Sequence, residues 1–205
     1  MRRVADAFTV LVVCSANVCR SPVVETLLAR RLADAGVPGD VSVQSAGWGA
    51  EPGTPACFLA DDWLARPPGR VSVSLAGVLL GSADLVLALD RRARGACAVL
   101  DPACRPRLFT LNQVAALAAL VSSSLRSGAT PDGAPRLPAA GPDRLRWLVG
   151  ELDAARGLLA GRDAADDDIP DRHGPEPHDE VFAEAQAAVE PLAALLAWLP
   201  GTAPP

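Results

Sequence analysis

Cys14 and Arg20 bracket five residues in the run Val12-Val13-Cys14-Ser15-Ala16-Asn17-Val18-Cys19-Arg20-Ser21-Pro22. A thiolate attacks tetrahedral phosphorus readily, and five intervening residues suffice to wrap the backbone once around an oxyanion. Successive amides from Ser15, Ala16, Asn17, Val18 and Cys19 can then turn inward, while the guanidinium of Arg20 forks onto two oxygens. That arrangement sets the Cys14 sulfur behind the central atom. The amides, a following helix end and Arg20 all favour the thiolate of Cys14. Ser21 can donate its hydroxyl to that sulfur and ease its later departure. Asn17 tolerates a positive φ and can bond within its own loop, which would fix the curvature. Against this stands a plain alternative, in which Cys14 and Cys19 are small buried hydrophobes and Arg20 is a surface charge.

The elements around the loop decide between the two. Residues 9–13 form a short, continuous, Val-rich run, as expected of a strand buried on both faces of a parallel sheet. Residues 22–35 carry Val24, Leu27, Leu28 and Leu32 at helical spacing, with Pro22 at the start and Gly36 as a stop. A loop passing directly from such a strand into a helix end is an anion site in its own right. Further strands are expected at 41–45, 84–89 and 107–110, and helices around 55–65, 91–100, 112–125 with Asn112 as N-cap, 142–159 and 179–199. The alternation defines an α/β fold of three layers, with a central, mostly parallel four-stranded sheet flanked by helices. Residues 127–142, dominated by Gly, Ala, Pro and Ser, read as an exposed or partly disordered insert.

Composition narrows the function further. The chain has 205 residues, 50% hydrophobic, and reads as one domain over 1–205. A net charge of -5 without a Lys/Arg block excludes an electrostatic hold on nucleic acid. No apolar run has the length of a membrane span, and the first residues lead into too short an apolar stretch for a signal peptide, so the expected location is cytoplasmic. Five cysteines, an odd number in a chain this large, imply reduced thiols. None has the spacing of a paired Cys-x2-Cys zinc site, and the two histidines, His173 and His178, lie close together, so no metal and no cofactor is expected.

The segment from Val13 to Pro22 resembles the signature of low molecular weight protein tyrosine phosphatases. Similar features follow in family order: Ser45-Ala46-Gly47, then Ala83-Asp84-Leu85-Val86-Leu87-Ala88-Leu89-Asp90, then Asp168-Ile169-Pro170-Asp171. Residues 121–165 stand apart as an atypical insert. The resemblance implies a phosphatase-I-like fold and hydrolysis of a phosphomonoester through a phosphocysteine, with a phosphotyrosine protein as substrate and a small phosphorylated metabolite as the alternative. It makes Cys14, Arg20 and Asp171 catalytic, Asp171 as the acid that protonates the leaving group, and it makes residues 15–21 the phosphate site. Three departures follow. Ala16 replaces the usual Gly, which requires a backbone there without positive φ. Asp171 is followed by Arg172 and His173 instead of Pro and an aromatic residue, which leaves Trp48 and His173 as candidate substrate walls. An adjacent cation favours the carboxylate over the acid. Two other functions compete. Arsenate reductases share the fold and pass a disulfide outward through further cysteines, here Cys97 or Cys104, though Asp90 stands where such a relay begins. A phosphate-binding protein without turnover is the other.

Overall fold

A computed structural model describes residues 7–37, 41–127, 141–172 and 178–198. The first strand, β1 (Phe8–Cys14), leads through the loop into α1 (Arg20–Asp34), and β2 (Val41–Gly47) follows. Two short helices, α2 (Phe58–Trp63) and α3 (Gly77–Ser82), precede β3 (Leu85–Ala88). Then come α4 (Arg91–Leu100), a 3-10 turn over Pro102–Arg107, β4 (Leu108–Thr110), α5 (Leu111–Ser127), α6 (Pro142–Ala154) and α7 (Asp179–Ala197). The four strands are all parallel in the order β2-β1-β3-β4.

Side chains of β1 alternate between two buried layers, which is why the strand is apolar throughout. Val10, Val12 and Cys14 face a core completed by α1, α5, α6 and α7, whereas Leu11 and Val13 face a smaller core with α3 and α4. Helices thus cover both faces of the sheet, and the expected three-layer α/β architecture is present. Connections leave β1 and β3 toward opposite edges of the sheet, so a crevice opens where their C-terminal ends lie side by side, the place at which such sheets bind ligands. Cys14 ends β1 at that crevice, and Asp90 follows β3.

Most elements fall where the periodicity puts them, and the differences have local causes. The helix around 55–65 is helical only over α2, because Pro55 bridges Val71 and the Ala56 amide donates to the Arg70 carbonyl, which keeps this stretch extended. Asn112 does not cap α5. The Thr110 hydroxyl accepts from the Gln113 amide at 3.2 Å instead, and Asn112 Nδ2 donates to the Asp166 carbonyl at 3.0 Å. α6 gives way to a 3-10 turn at Ala155–Leu159. The atypical segment is integrated where it is described, since Leu145, Leu148, Val149 and Leu152 of α6 enter the larger core. The Gly/Pro-rich stretch itself lies largely outside the described residues. No helix among the described residues is long and apolar enough to cross a membrane.

Candidate active site

The loop from Cys14 to Arg20 closes into a cradle. The Asn17 amide donates to Cys14 Sγ at 3.2 Å, and Ser21 Oγ lies 2.9 Å from the same sulfur. Asn17 has φ 54°, the left-handed conformation that asparagine tolerates. Its buried side chain is fully used: Nδ2 donates to Ser21 Oγ at 2.9 Å and Ser45 Oγ at 2.6 Å, and Oδ1 accepts from the Val73 amide at 2.8 Å. Ala16 is absent from the positive-φ residues, as its side chain requires.

Outward-facing carbonyls fix the curve from outside. The Trp48 amide donates to the Cys14 carbonyl at 3.1 Å, Gly49 to Ser15 at 3.0 Å, and Cys57 to Val18 at 2.9 Å. Spending the carbonyls on the exterior is what frees the loop amides for an anion. Gly47 permits this approach, because a Cβ there would lie 2.5 Å from the Ser15 carbonyl oxygen.

Arg20 is buried and held on both sides. Nη1 donates to Asp90 Oδ2 at 2.9 Å and to the Ile169 carbonyl at 3.0 Å, while Nη2 pairs with Asp171 Oδ2 at 2.5 Å. Asp90 also caps α4 by accepting from the Ala93 amide at 2.7 Å, so one carboxylate ties the arginine to the end of β3. Asp171 therefore comes to the cradle, from a segment pinned by the Ile169 amide on the Leu89 carbonyl at 2.8 Å. Asp168 steadies the same segment through a two-pronged contact with Arg91, at 3.0 and 2.9 Å. Burial opposes the charge on Asp168, but Arg91 outweighs it and holds the carboxyl below its usual value. Arg172 pairs with Glu180 at 3.0 Å, a carboxylate that partly offsets its cation beside Asp171.

These groups open on a pocket of about 510 Å³ lined by Ser15, Arg20, Trp48, Arg92 and Asp171 among others. Trp48 is 46% exposed on that wall and free to meet a ligand. His173, the other candidate wall, lies outside the described residues. The sequence assigned Ser45 no role in the site, left out Val73 and the Ile169 carbonyl, and named Asp90 only as the strand end where a thiol relay would begin. Asp90 carried a usable signal, an aspartate closing an apolar strand directly before a helix. A backbone carbonyl carries none.

The remaining thiols differ in setting. Cys97 and Cys104 are fully buried in the smaller core, and burial, then Cys104, pushes the Cys97 thiol up to about 12. Both are closed to an outward disulfide relay. Cys19 lies on the flank of the cradle, where burial and then Cys57 raise its thiol above the ordinary range.

The sequence pattern of the family described as low molecular weight phosphotyrosine protein phosphatase matches residues 9–119, the stretch that carries the sheet and the cradle. The chain belongs to that family. Among curated relatives, the probable low molecular weight protein-tyrosine-phosphatase EpsP of Ralstonia nicotianae is 37% identical over 110 residues, 52% of this chain and 72% of that protein. Solved structures share the fold. The low molecular weight protein tyrosine phosphatase from T. tengcongensis superposes with a TM-score of 0.60 at 20% identity, covering 91% of this chain and 97% of that one. The YwlE arginine phosphatase from Geobacillus stearothermophilus gives 0.55 at 23% identity, covering 93% and 90%. One fold thus serves phosphatases named for different residues.

Proposed function

We propose that the chain hydrolyses phosphomonoesters through a phosphocysteine on Cys14, with a tyrosine-phosphorylated protein as substrate. The observation that carries this is that Asp171, from far along the chain, meets the single loop bearing Cys14 and Arg20 in one pocket at the C-terminal end of the sheet.

A phosphate dianion entering the cradle takes the loop amides and the fork of Arg20, displacing Asp171 from the guanidinium. Asp171, released from the guanidinium, takes up a proton from solvent and is then available to the leaving oxygen. The Cys14 thiolate attacks phosphorus, an S–P bond forms, the P–O bond breaks, and Asp171 gives its proton to the departing phenolate. In the second step Asp171, now a carboxylate, takes a proton from water. That water attacks phosphorus, the S–P bond breaks, and inorganic phosphate leaves while Ser21 stabilises the returning thiolate.

Trp48 supports an aromatic ester, since an exposed ring beside the cradle offers a face to a phenyl group. Arg92 on the rim suits acidic residues flanking the phosphorylated one. Five free thiols support placing the protein in the cytoplasm. Rapid mixing with an aryl phosphate tests the chemistry: a burst of phenol stoichiometric with enzyme is expected, and protein that binds phosphate yet releases no phenol would refute catalysis. Trp48→Ala should raise KM for a phosphotyrosyl peptide by about 2- to 10-fold, the worth of one aromatic contact. An unchanged KM for the peptide would point to a small metabolite instead.

A further inference from the structure

Beside the cradle, residues far apart in the chain bring two sulfurs and an imidazole together. Cys19 precedes α1, Cys57 precedes α2 and His178 precedes α7, so each is the residue at which a helix begins. Cys19 Sγ lies 3.4 Å from His178 Nδ1, Cys57 Sγ lies 3.9 Å from the same nitrogen, and all three atoms fall within 4.8 Å of one another. In a tetrahedral zinc site the bond lengths dictate edges of about 3.6 Å between sulfur and nitrogen and about 3.8 Å between sulfurs. The cluster is thus close to ligand geometry before any cation enters.

From this juxtaposition we infer that Cys19, Cys57 and His178 form a zinc site that ties the start of α7 to the outer wall of the cradle. Two thiols and one imidazole select a thiophilic ion such as Zn²⁺ over Mg²⁺ or Ca²⁺. Binding exchanges the two thiol protons for the metal. His178 is 6% exposed, its ring edge-on to Phe182 at 5.7 Å, so packing presents Nδ1 to the sulfurs without further ordering. Its Nε2 is buried with no hydrogen-bond partner among the described residues, which leaves Nδ1 as the nitrogen with a neighbour to bind. A pocket of about 230 Å³, lined by these three residues together with Cys14, Arg20 and Asp171, leaves room for water as fourth ligand.

The site has a consequence for turnover, and that part rests on the phosphatase reading above. Cys19 belongs to the cradle, and the three ligands share a pocket with Cys14, Arg20 and Asp171, so a metal and its water would crowd the space in which Asp171 must move.

Cobalt titration of the reduced full chain reads the binding directly, through the near-ultraviolet charge-transfer band of thiolate-bound Co²⁺. One cobalt per chain is expected for the wild type and for Cys14→Ser. Cys57→Ala and His178→Gln should weaken binding by roughly a hundredfold or more, beyond the loss caused by removing a group that only orients a ligand. Far-ultraviolet circular dichroism verifies that each variant is folded, and Cys57→Ser provides the near-isosteric control if Cys57→Ala is not. A missing wild-type band, a band that survives in folded Cys57 variants, or one that disappears in Cys14→Ser would overturn the site. In the turnover assay, Zn²⁺ should slow the wild type at concentrations at least tenfold below those that slow Cys57→Ser, and equal sensitivity would overturn the coupling. A chain that binds cobalt as expected but releases no phenol keeps the metal site and refutes only the phosphatase reading.

Discussion

In the cradle, Asn17 is fully buried and spends its amide group on Ser21, Ser45 and Val73, so the loop is fixed by the fold around it. In the segment from Asp168 to Asp171 the backbone is pinned at Ile169, but Asp168 and Asp171 are held by ion pairs, and Asp171 keeps 35% of its side chain exposed while touching Arg20. On the proposed mechanism the first region keeps one geometry, and the second passes through two. An oxyanion site gains from donors already in place, which cost no reorganisation when charge develops. If Asp171 is the acid proposed above, it must yield its arginine to the substrate, and its exposed side chain leaves room for that. The same buried guanidinium serves both, held by Asp90 on one side and lent to Asp171 on the other.

The difference can be broken from either end. Cys14→Ser removes the nucleophile and should cost about 10⁴-fold or more in phosphate release, the scale on which nucleophile deletions act, with the pocket still binding phosphate by calorimetry. Asp171→Asn should lower kcat with an aryl phosphate by about 10²- to 10⁴-fold and leave phosphate affinity within a few-fold. Parallel collapse of affinity and kcat would mean that Asp171 builds the cradle. Asn17→Ala attacks the rigid half: two buried groups lose partners and the left-handed backbone is disfavoured, together about 3 kcal/mol. Chemical denaturation measures that loss, and Asn17→Gly should recover only the backbone share, about 1 kcal/mol. Asp168→Asn touches the more exposed half and should cost no more than about 1 kcal/mol, because the Arg91 pair is solvent-screened. Its sign with pH is fixed: a folded pKa below 3.8 means stability present above that value and lost as pH falls through the lower folded one. Melting curves of wild type and variant should therefore converge in strong acid.

How much of this the sequence disclosed follows from where the information is stored. The cradle was legible because Cys14, Asn17, Arg20 and Ser21 are contiguous and their roles follow from local backbone geometry. The sheet was legible because a strand buried on both faces has an unmistakable composition. Asp171 was nameable through its place in a family pattern, but its contact with Arg20 and the turn of Arg172 toward Glu180 depend on packing across the whole chain. Helix α3 escaped notice because Gly77 and Gly81 mask a single helical turn. The Cys19, Cys57 and His178 cluster was illegible for the same reason as the Ile169 carbonyl. Neither spacing nor residue type announces a meeting arranged by three helix starts.

Gly47 carries this dependence furthest. It pairs in register with Cys14 across β1 and β2, and a side chain there would press on Ser15 and Ala16. The smallest possible addition at position 47, a single methyl, would reshape the bed in which the anion lies without touching a charged, nucleophilic or acidic group. Because the clash would be with backbone atoms of Ser15 and Ala16, no change of side chain at 15 or 16 would relieve it. A survey of substitutions that counted reactive groups alone would overlook the residue whose emptiness gives the loop its form.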